Sequence, residues 1–456
     1  MNQVIGQRTI TLDSTVLEER ILVDNINIPW ELLWGPDDYL WMTERRGVVS
    51  RINPSTGTID VILDITSEVA HIGEAGLLGM VLHPDFEITP RVYVVYCYSK
   101  SQFVYSEKLV SYDWDGANLT NETILLDGIK AFLNHNGSRL VVSKDHKLIM
   151  TTGDAQFPAS AQNISGLSGK VLRLNLDGTI PEDNPIADSY VYSYGHRNPQ
   201  GLAIGPNGEI FSSEHGADED DEINIIEPNR NYGWPNVEGA CNTEAEITFC
   251  ELMNVKEPIR TWSPCVAVND LLFYQHDAIP EWKGNILMAV LGGRVHQSGI
   301  YVLKFNSAGT EIVGEQIYFN DYGRLRDICF NPYTGAIYFA SDGRGGDDDD
   351  LFNHRIIEYA VEITSDVINP IMSLDQAFIN VIPNYVRRGG SFSITFSKHF
   401  LGQSVDLFSI NGQIIESKKI DQSFFEISTN KFSPGIYFLK VKDSNGKMYT
   451  KNIVVQ

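Results

Sequence analysis

The chain has 456 residues, of which 59 are acidic and 35 basic, and its formal net charge is −24. A hydrophobic fraction of 43% is enough to bury a core, which excludes a disordered polyanion. The acidic excess disfavours nucleic acid and anionic membranes as partners, and no apolar run is long enough to span a bilayer. No apolar signal-peptide core follows Met1. We therefore expect an intracellular protein, or a chain that starts after a removed signal.

A strand, a turn of the Pro-Asp or Asn-Gly kind and a second strand recur six times along the chain, at 32–41, 80–95, 140–150, 202–211, 271–288 and 328–339. Each copy is followed by another alternating run, at 47–52, 108–114, 169–175, 222–227, 299–305 and 355–359. Four short strands in each repeat of roughly 40–70 residues are typical of a propeller blade. The sequence thus predicts an all-β fold, a six-bladed β-propeller whose last blade gains a strand from 16–23. A twisted sandwich is the alternative.

The composition shifts near Ile368, which predicts a propeller at 15–362, a linker at 363–380 and a small C-terminal β-sandwich at 381–456. Asn411-Gly412 is a strong signal for a two-residue hairpin within the last of these. From residue 371 onward the chain has 10 basic and 6 acidic side chains, so the tail is basic although the whole chain is acidic. The two parts therefore read as separate units.

The five cysteines contain no C-x-x-C motif, which argues against a zinc or thioredoxin-type site. Cys241 and Cys250 flank a polar stretch at 242–249 that we interpret as a loop. A disulfide there would contribute about 2.7 kcal/mol through chain entropy and fits an oxidising compartment, whereas two free thiols are the alternative. Cys97 and Cys329 lie in strand-like runs and are predicted to be buried.

Polar segments at the strand ends carry the candidate chemistry, because loops at one end of a propeller converge on its channel. His135 precedes a strand and Asp154 follows the next one, so both can reach the same rim. A carboxylate beside an imidazole fixes its tautomer and raises its basicity, as a general base requires. Taken alone, such a pair is more often structural.

Three further segments point to an anionic ligand and a hard cation. Arg197, within 195–202, can bind a planar anion through its fork of donors, although a capped turn is the simpler interpretation. The stretch 213–224 is rich in oxygen donors and favours calcium, or else it is a solvated acidic loop. Arg324 and Arg326, two residues apart on a strand, face the same side, or are simply surface residues. Together these segments fit a planar polycarboxylate.

These segments resemble the soluble glucose dehydrogenase and aldose sugar dehydrogenase family, which is a six-bladed propeller that uses pyrroloquinoline quinone (PQQ) and calcium. The resemblance covers about residues 15–362 and lies in the segments 73–79, 134–140, 152–154, 195–202, 213–224, 231–236 and 324–327. It implies that His135 is the base that takes the proton of the anomeric hydroxyl and that Asp154 orients it. The quinone would be contacted by Arg197, Asn198 and Glu74. Arg197 would also stabilise the developing oxyanion.

The resemblance also implies that the carbonyls of Gly216 and Ala217 hold calcium beneath PQQ and that Arg324 and Arg326 bind the cofactor carboxylates. A second, structural calcium site would involve Asp221, Glu222 and Tyr232. The sequence departs from the family in four places. Glu74 stands where the family often has glutamine, although glutamate is accepted in the aldose branch. Ala217 replaces a usual proline, and Cys265 replaces a usual threonine or serine. No lysine stands within 291–294, so either Arg294 substitutes for it or the cofactor binds weakly.

The tail resembles the C-terminal sorting domain of the type IX secretion system of Bacteroidetes, through 405–412, 433–441 and 451–455. The resemblance implies export to the cell surface or secretion, with the periplasm as second choice, and we expect a monomeric protein. Its partners would be a sugar substrate, an external electron acceptor and the secretion machinery. A plain adhesive or stabilising β-sandwich is the alternative for the tail. For the propeller, the alternatives are a calcium-dependent lactone or ester hydrolase and a non-catalytic carbohydrate-binding protein.

Overall fold

The computed structural model describes residues 8–293, 296–306, 311–342, 354–361, 379–382, 385–386, 390–396, 400–421, 424–443 and 446–455. The chain divides into two compact units, of which the first extends to Val361 and the second consists mainly of residues 362–456. The predicted linker at 363–380 lies outside the described residues apart from its last two, and Arg294 also lies outside them.

The first unit consists of antiparallel sheets. Strands β1 (Thr9–Thr11) and β2 (Val16–Asp24) come first. Blades 1 to 3 follow, with β3 (Pro29–Trp34), β4 (Leu40–Glu44), β5 (Val48–Ile52) and β6 (Ile59–Asp64); β7 (Leu77–Leu82), β8 (Arg91–Ser101), β9 (Val104–Trp114) and β10 (Leu119–Ala131); and β11 (Gly137–Val142), β12 (Lys147–Thr152), β13 (Lys170–Asn175) and β14 (Val191–Tyr194).

Blades 4 to 6 contain β15 (Pro199–Ile204), β16 (Ile210–Glu214), β17 (Asp221–Ile226) and β18 (Arg260–Trp262); β19 (Val268–Tyr274), β20 (Asn285–Val290), β21 (Gly299–Phe305) and β22 (Ile312–Tyr318); and β23 (Leu325–Phe330), β24 (Ile337–Asp342) and β25 (His354–Val361). A helix α1 (Glu244–Met253) interrupts blade 4, and a short 3-10 helix spans Pro158–Ser160.

The blades form a closed ring. Their first strands contact one another in the order β3, β7, β11, β15, β19 and β23, and β23 contacts β3 again. Strand β2 pairs with β25 in register Leu17 to Val361, so the sixth sheet has the order β1-β2-β25-β24-β23. The predicted six-bladed propeller is confirmed, and so is the strand that the N-terminal segment adds to the last blade.

The centre of the ring is polar rather than apolar. Arg139 on β11 is almost fully buried and its guanidinium reaches four other blades. Nε donates to the Gln200 carbonyl (2.6 Å), Nη2 to Asn269 Oδ1 (2.9 Å), and Nη1 to Glu31 Oε2 (3.0 Å) and to the Asp327 carboxylate. These bonds tie blade 3 to blades 4, 5, 1 and 6, so this side chain stabilises ring closure directly.

Three carboxyl groups share this guanidinium. Asp270 lies 4.0 Å from Arg139 Nη1, in addition to Glu31 and Asp327. Burial raises the pKa of Glu31 to about 7 and that of Asp270 to about 6, and it raises the pKa of Asp327 as well. One cation cannot neutralise three buried anions, so the cluster retains protons at pH values where exposed carboxyl groups are ionised.

These shifts predict how stability depends on pH. The folded chain holds the protons of Glu31 and Asp270 more tightly than the unfolded chain, whose carboxyls have ordinary pKa values. The contribution of these two groups to the free energy of unfolding is therefore fully present below about pH 4. It is lost as the pH rises to about 7. Urea unfolding at pH 5 and pH 8 measures this loss. Glu31→Gln should make it smaller, and an unchanged pH slope in that variant would contradict the assignment.

The second unit contains two sheets. Strands β26 (Ile379–Ile382), β28 (Ser391–Phe396) and β31 (Phe424–Ser428) form one, and β27 (Tyr385–Val386), β29 (Ser404–Ser409), β30 (Ile414–Lys419), β32 (Gly435–Lys442) and β33 (Met448–Val455) form the other. A 3-10 helix spans Thr429–Lys431. Apolar side chains of both sheets, such as Ile394 and Leu439, share one buried core, so the predicted β-sandwich is confirmed. Gly412, with φ of 79°, lies in the turn between β29 and β30, as its sequence predicts.

The stretch 242–249 is not the loop that its polarity indicates, because α1 begins within it. Thr243 accepts from the Glu246 backbone while the Glu246 carboxylate accepts from the Thr243 backbone, and this capping box starts the helix. Cys241 and Cys250 form the predicted disulfide, while Cys97 and Cys329 are buried free thiols. Among the described residues, no helix is long and apolar enough to cross a membrane.

Candidate active site

One rim of the propeller collects almost all of the predicted site residues. Neighbouring strands of a blade are antiparallel, so the connections into a first strand and those between second and third strands lie at the same rim. Glu74, His135, Arg197 and Arg324 precede first strands, whereas Asp154 follows a second strand. Glu74 interacts electrostatically with Arg326 of blade 6, and these segments therefore meet across the channel.

His135 and Asp154 form a hydrogen-bonded pair, with 2.9 Å between Nδ1 and the carboxylate Oδ1. Asp154 is fully buried, while 16% of the His135 side chain remains exposed. His135 adopts a left-handed φ of 62°, and its carbonyl approaches Gly153 so closely that a Cβ there would lie 2.0 Å from the carbonyl oxygen. Glycine is thus required at 153 for this pair to form.

Asp154 is held from three further sides. Its Oδ2 accepts from the Trp234 indole nitrogen (2.8 Å), its Oδ1 from the Gln156 amide (2.7 Å), and its own amide donates to the Arg197 carbonyl (2.8 Å). These bonds satisfy a carboxylate that burial would otherwise destabilise and fix its direction toward the imidazole.

Glu74 joins the histidine loop to blade 4. Its Oε2 accepts from the His135 amide (3.0 Å) and from Asn198 Nδ2 (3.4 Å). Asn198 is buried, and its Oδ1 accepts from the Gly137 amide (3.2 Å) and from Gln200 Nε2 (3.0 Å). In this structure Glu74 and Asn198 therefore orient the loop that carries the histidine, a role that the sequence did not indicate.

Arg197 lies beside Trp234, with its guanidinium carbon 5.2 Å from the ring centroid. Its Nη1 donates to the His215 carbonyl (3.2 Å), while its buried Nε has no hydrogen-bond partner in the described chain. Glu214 accepts from the amides of Arg197 and Asn198 and from His196 Nδ1 (2.9 Å). A buried donor without a partner is the kind of atom that a ligand completes.

Arg324 and Arg326 share one carboxylate. Arg324 Nε donates to Asp342 Oδ1 (3.0 Å), and Arg326 Nε donates to Oδ2 (2.9 Å). Burial opposes ionisation of Asp342, but the two guanidinium charges outweigh it and hold the pKa of this carboxyl below its usual value. Two cations face one anion, so a net positive charge remains. The Arg324 side chain is 30% exposed. Its terminal nitrogens have no hydrogen-bond partner in the described chain.

Gly216 and Ala217 follow β16 in a sharp turn. A Cβ on Gly216 would lie 1.9 Å from the Glu219 carbonyl oxygen, so only glycine fits. The Gly216 amide donates to Asp221 Oδ1 (2.9 Å), while the carbonyl oxygens of Gly216 and Ala217 accept no hydrogen bond from the described residues. Two adjacent free carbonyls are donors of the type that calcium takes, so this turn fits the predicted ion.

The residues predicted for a second calcium ion do not form one donor set. The oxygens of Asp221 accept from the amides of Gly216, Ala267 (2.5 Å) and Val268, and the Tyr232 hydroxyl donates to the Ile225 carbonyl (2.7 Å). Asp221 thus holds the calcium turn to blade 5. Within the described ranges, no three His, Cys, Asp or Glu side chains are placed to hold a metal.

Glu222, by contrast, faces a small cavity. The cavity measures about 20 Å³ and is lined by Arg197, Glu214, His215, Gly216, Asp220, Glu222, Tyr232, Trp234, Val237 and Glu238. Burial and the charge of Glu214 raise the pKa of Glu222 to about 8. The second calcium site at Asp221, Glu222 and Tyr232 stays a prediction, since Glu222 and Tyr232 line this cavity together.

Residues 26–352 match the Glucose / Sorbosone dehydrogenase family. The chain belongs to this family. It is therefore a member of a family of sugar-oxidising oxidoreductases, which supports the dehydrogenase prediction over the hydrolase and the carbohydrate-binding alternatives.

Relatives from three organisms share this similarity. The chain is 38% identical over 253 residues to quinoprotein glucose dehydrogenase B of Acinetobacter calcoaceticus, a match that spans 49% of this chain and 53% of that protein. It is 29% identical to an aldose sugar dehydrogenase of Escherichia coli K12 over 72% of this chain and 90% of that one. The PQQ-bound aldose sugar dehydrogenase of Streptomyces coelicolor superposes with a TM-score of 0.63 at 29% identity, over 76% of this chain and 98% of that chain.

The second unit matches a different family. Residues 383–456 match the secretion system C-terminal sorting domain, which confirms the resemblance found in the tail. The dehydrogenase is therefore joined to a domain that indicates export or attachment to the cell surface.

The sequence analysis gave no role to four residues of the site, although three of them lie within the segments that carry the resemblance. They are the positioning side chains Trp234, Glu214, His196 and Asp342. Asp342 could have been predicted from its position. It ends the second strand of blade 6, and Asp154 follows the second strand of blade 3 at nearly the same position in the repeat. Trp234 lies in the matched segment 231–236, but its contact with Asp154 was not predicted, since a long insertion between β17 and β18 returns it to the rim.

Proposed function

We propose that the chain oxidises aldose sugars at the anomeric carbon to lactones, with PQQ and calcium as cofactors. The observation that carries the proposal is the His135–Asp154 pair at the rim that also gathers Arg197, Arg324 and Arg326. The sugar, the ion and the catalytic roles are proposals for this chain.

His135 is suited to act as the base. Its Nδ1 is occupied by Asp154, so the proton of the neutral ring lies on Nδ1 and the lone pair on Nε2. Nε2 has no partner in the described chain, and the side chain is partly exposed. It can therefore take the proton of the anomeric hydroxyl, while Asp154 stabilises the imidazolium that forms. Arg197 supplies positive charge for the oxyanion that develops.

The cofactor site is defined by charge. Arg324 and Arg326 would hold carboxylates of PQQ through their surplus positive charge, and Arg197 would contact the quinone. Gly216 and Ala217 would hold calcium through their carbonyls. PQQ, when bound, supplies the two-electron acceptor, and calcium supplies the charge that polarises the accepting carbonyl.

A binding titration tests this assignment. Adding PQQ with calcium to the full chain should quench tryptophan fluorescence as the cofactor fills the site beside Trp234. Arg324→Gln removes one charge-assisted contact and should raise the Kd for PQQ about tenfold, since such a bond contributes about 1.5–3 kcal/mol. Arg260→Gln, an exposed arginine on the outer strand of blade 4, is the control and should leave the Kd unchanged. Equal Kd values for all three proteins would count against the arginine site.

The indole of Trp234 is predicted to contribute to the rate. Trp234→Phe keeps an aromatic ring beside Arg197 but removes the donor to Asp154, and we expect kcat to fall about tenfold. Trp262→Phe is the matched control, because Trp262 also donates its indole N–H to a carboxylate, Glu315 (2.8 Å), on the outer strands. Sugar-dependent dye reduction measures both variants, and equal losses in the two would refute a specific role for Trp234.

We further propose that the reaction takes place outside the cytoplasm, in secreted or surface-attached form, with the periplasm as second choice. The sorting-domain match at residues 383–456 and the disulfide of blade 4 support this location. The secretion machinery would then be a partner of the tail, and a monomer remains our prediction.

A further inference from the structure

The outward face of α1 is an exposed mixture of apolar and acidic side chains. Within the described residues it is the one α-helix, and none of its side chains is buried. Leu252 is 78% exposed and Ile247 is 45% exposed. Glu244 and Glu251 are exposed beside them, whereas Phe249 and Met253 are turned inward and half-buried. Two exposed apolar side chains are common on a protein surface, so the case for a binding site depends on the position and the charge of this face.

This face adjoins the candidate active site. Glu238 lines the cavity beside Arg197, and the disulfide-bonded Cys241 follows it after two residues. The Gly239 amide donates to Glu222 Oε1 (2.8 Å), which ties the connecting loop to the cavity wall. Glu246 interacts electrostatically with Asp220, another cavity residue. The start of α1 is thus fixed beside the rim where the sugar would be oxidised.

Most charged side chains of this region are acidic, although Arg197 of the cavity wall is a nearby cation. The helix carries Glu244, Glu246 and Glu251 and has no basic residue in its last turn. Asp218, Glu219 and Glu238 add further negative charge. Burial, and then the charges of Asp220, Asp218 and Glu219, raise the pKa of Glu238 above its usual value, while Arg197 opposes this shift. An acidic surface with exposed apolar side chains complements a basic protein, because electrostatic attraction brings the partner in and apolar contact retains it.

The proposed reaction requires an electron acceptor outside the chain. Oxidation of one aldose breaks the C1–H bond, forms the lactone carbonyl, and releases two electrons and two protons. The five cysteines form no C-x-x-C-H motif for a covalent haem, so the sequence offers no such second carrier for the electrons. We propose that the outward face of α1, formed by Glu244, Ile247, Glu251 and Leu252, docks a cationic single-electron carrier protein. Two such carriers take one electron each for every sugar oxidised, and the two protons pass to solvent.

The proposal rests on the proposed function, and the test separates the two. The full chain, reconstituted with PQQ and calcium, is given an aldose and either a small dye or a basic cytochrome c as acceptor. Glu251→Lys/Leu252→Ser should lower kcat/KM for the cytochrome about tenfold, and leave dye reduction unchanged. Glu87→Lys/Ile88→Ser is the matched control, because these two adjacent residues are also exposed but lie in the β7–β8 connection at the opposite rim. It should leave both rates unchanged.

Salt and cofactor-free binding provide independent measurements. Cytochrome reduction by the wild type should slow as ionic strength rises, whereas dye reduction should not. The chain without PQQ should still bind the cytochrome at low salt, and the α1 variant should bind it more weakly by the same factor. Equal cytochrome rates in the α1 variant and the control would overturn the proposal, as would self-association of the wild type that the α1 changes abolish. Loss of dye reduction in every protein would instead refute the proposed function.

Discussion

Replacing His135 by asparagine is expected to lower kcat for sugar-dependent dye reduction by about 10²–10⁴-fold, the usual contribution of a general base. The amide can still donate a hydrogen bond toward Asp154, but it cannot take the proton of the anomeric hydroxyl. Asparagine also tolerates the left-handed φ of 62° at this position, so the loop should keep its conformation. Sugar binding should remain, because the variant removes a proton acceptor and leaves Arg197 in place.

His146→Asn is the matched control for this experiment. His146 also has a left-handed φ, of 58°, and lies in the same blade, but it is exposed in the β11–β12 turn at the opposite rim. Its replacement should leave kcat within twofold of the wild type. A His135 variant that retains a tenth or more of the wild-type kcat would show that another group is the base.

Replacing Arg139 by methionine is expected to destabilise the propeller by about 3–5 kcal/mol, because a buried cation is removed from carboxyl groups that remain. The variant loses hydrogen bonds to four blades, and Glu31 and Asp327 are left without the charge that compensates them. Urea unfolding of the two proteins measures the difference in free energy. Arg260→Met, which removes an exposed ion pair with Glu315, should cost at most about 1 kcal/mol.

A double variant distinguishes charge from packing in this cluster. Asp327→Asn removes one of the uncompensated carboxylates, so adding it to Arg139→Met should recover part of the lost stability. If Arg139→Met lowers the free energy of unfolding no more than Arg260→Met does, the Arg139 guanidinium does not stabilise the closed ring. If the double variant is no more stable than the single one, the loss comes from packing and not from unpaired charge.

The repeat made the propeller predictable from sequence. Short apolar strands separated by turn residues recur along the chain, and the six copies located the blades. The strand that Val16–Asp24 adds to the last blade was predicted as well. Helix α1 was missed because it begins within the polar stretch 242–249 and none of its side chains is buried. The capping box formed by Thr243 and Glu246 was a readable local signal that the loop interpretation passed over.

Pairings within the site were only partly predictable. His135 and Asp154 were placed together correctly because each lies at a strand end of the same blade. Contacts across blades depend on how the ring closes, which sequence spacing does not contain. Arg139 is the clearest example, since its partners lie between 61 and 188 positions away along the chain. The placement of Asp221 against the amide of Ala267 is another, because a carboxylate in an acidic loop gives no sign that backbone donors will occupy it.

The most direct test of the account is turnover by the reconstituted chain. The full chain is incubated with PQQ and calcium, a set of aldoses is added, and reduction of an artificial dye is followed against the chain without PQQ. The account predicts sugar-dependent reduction only with PQQ, its loss on calcium chelation, and its near absence in His135→Asn. No PQQ binding at micromolar concentration, together with no reduction on any aldose, would contradict it.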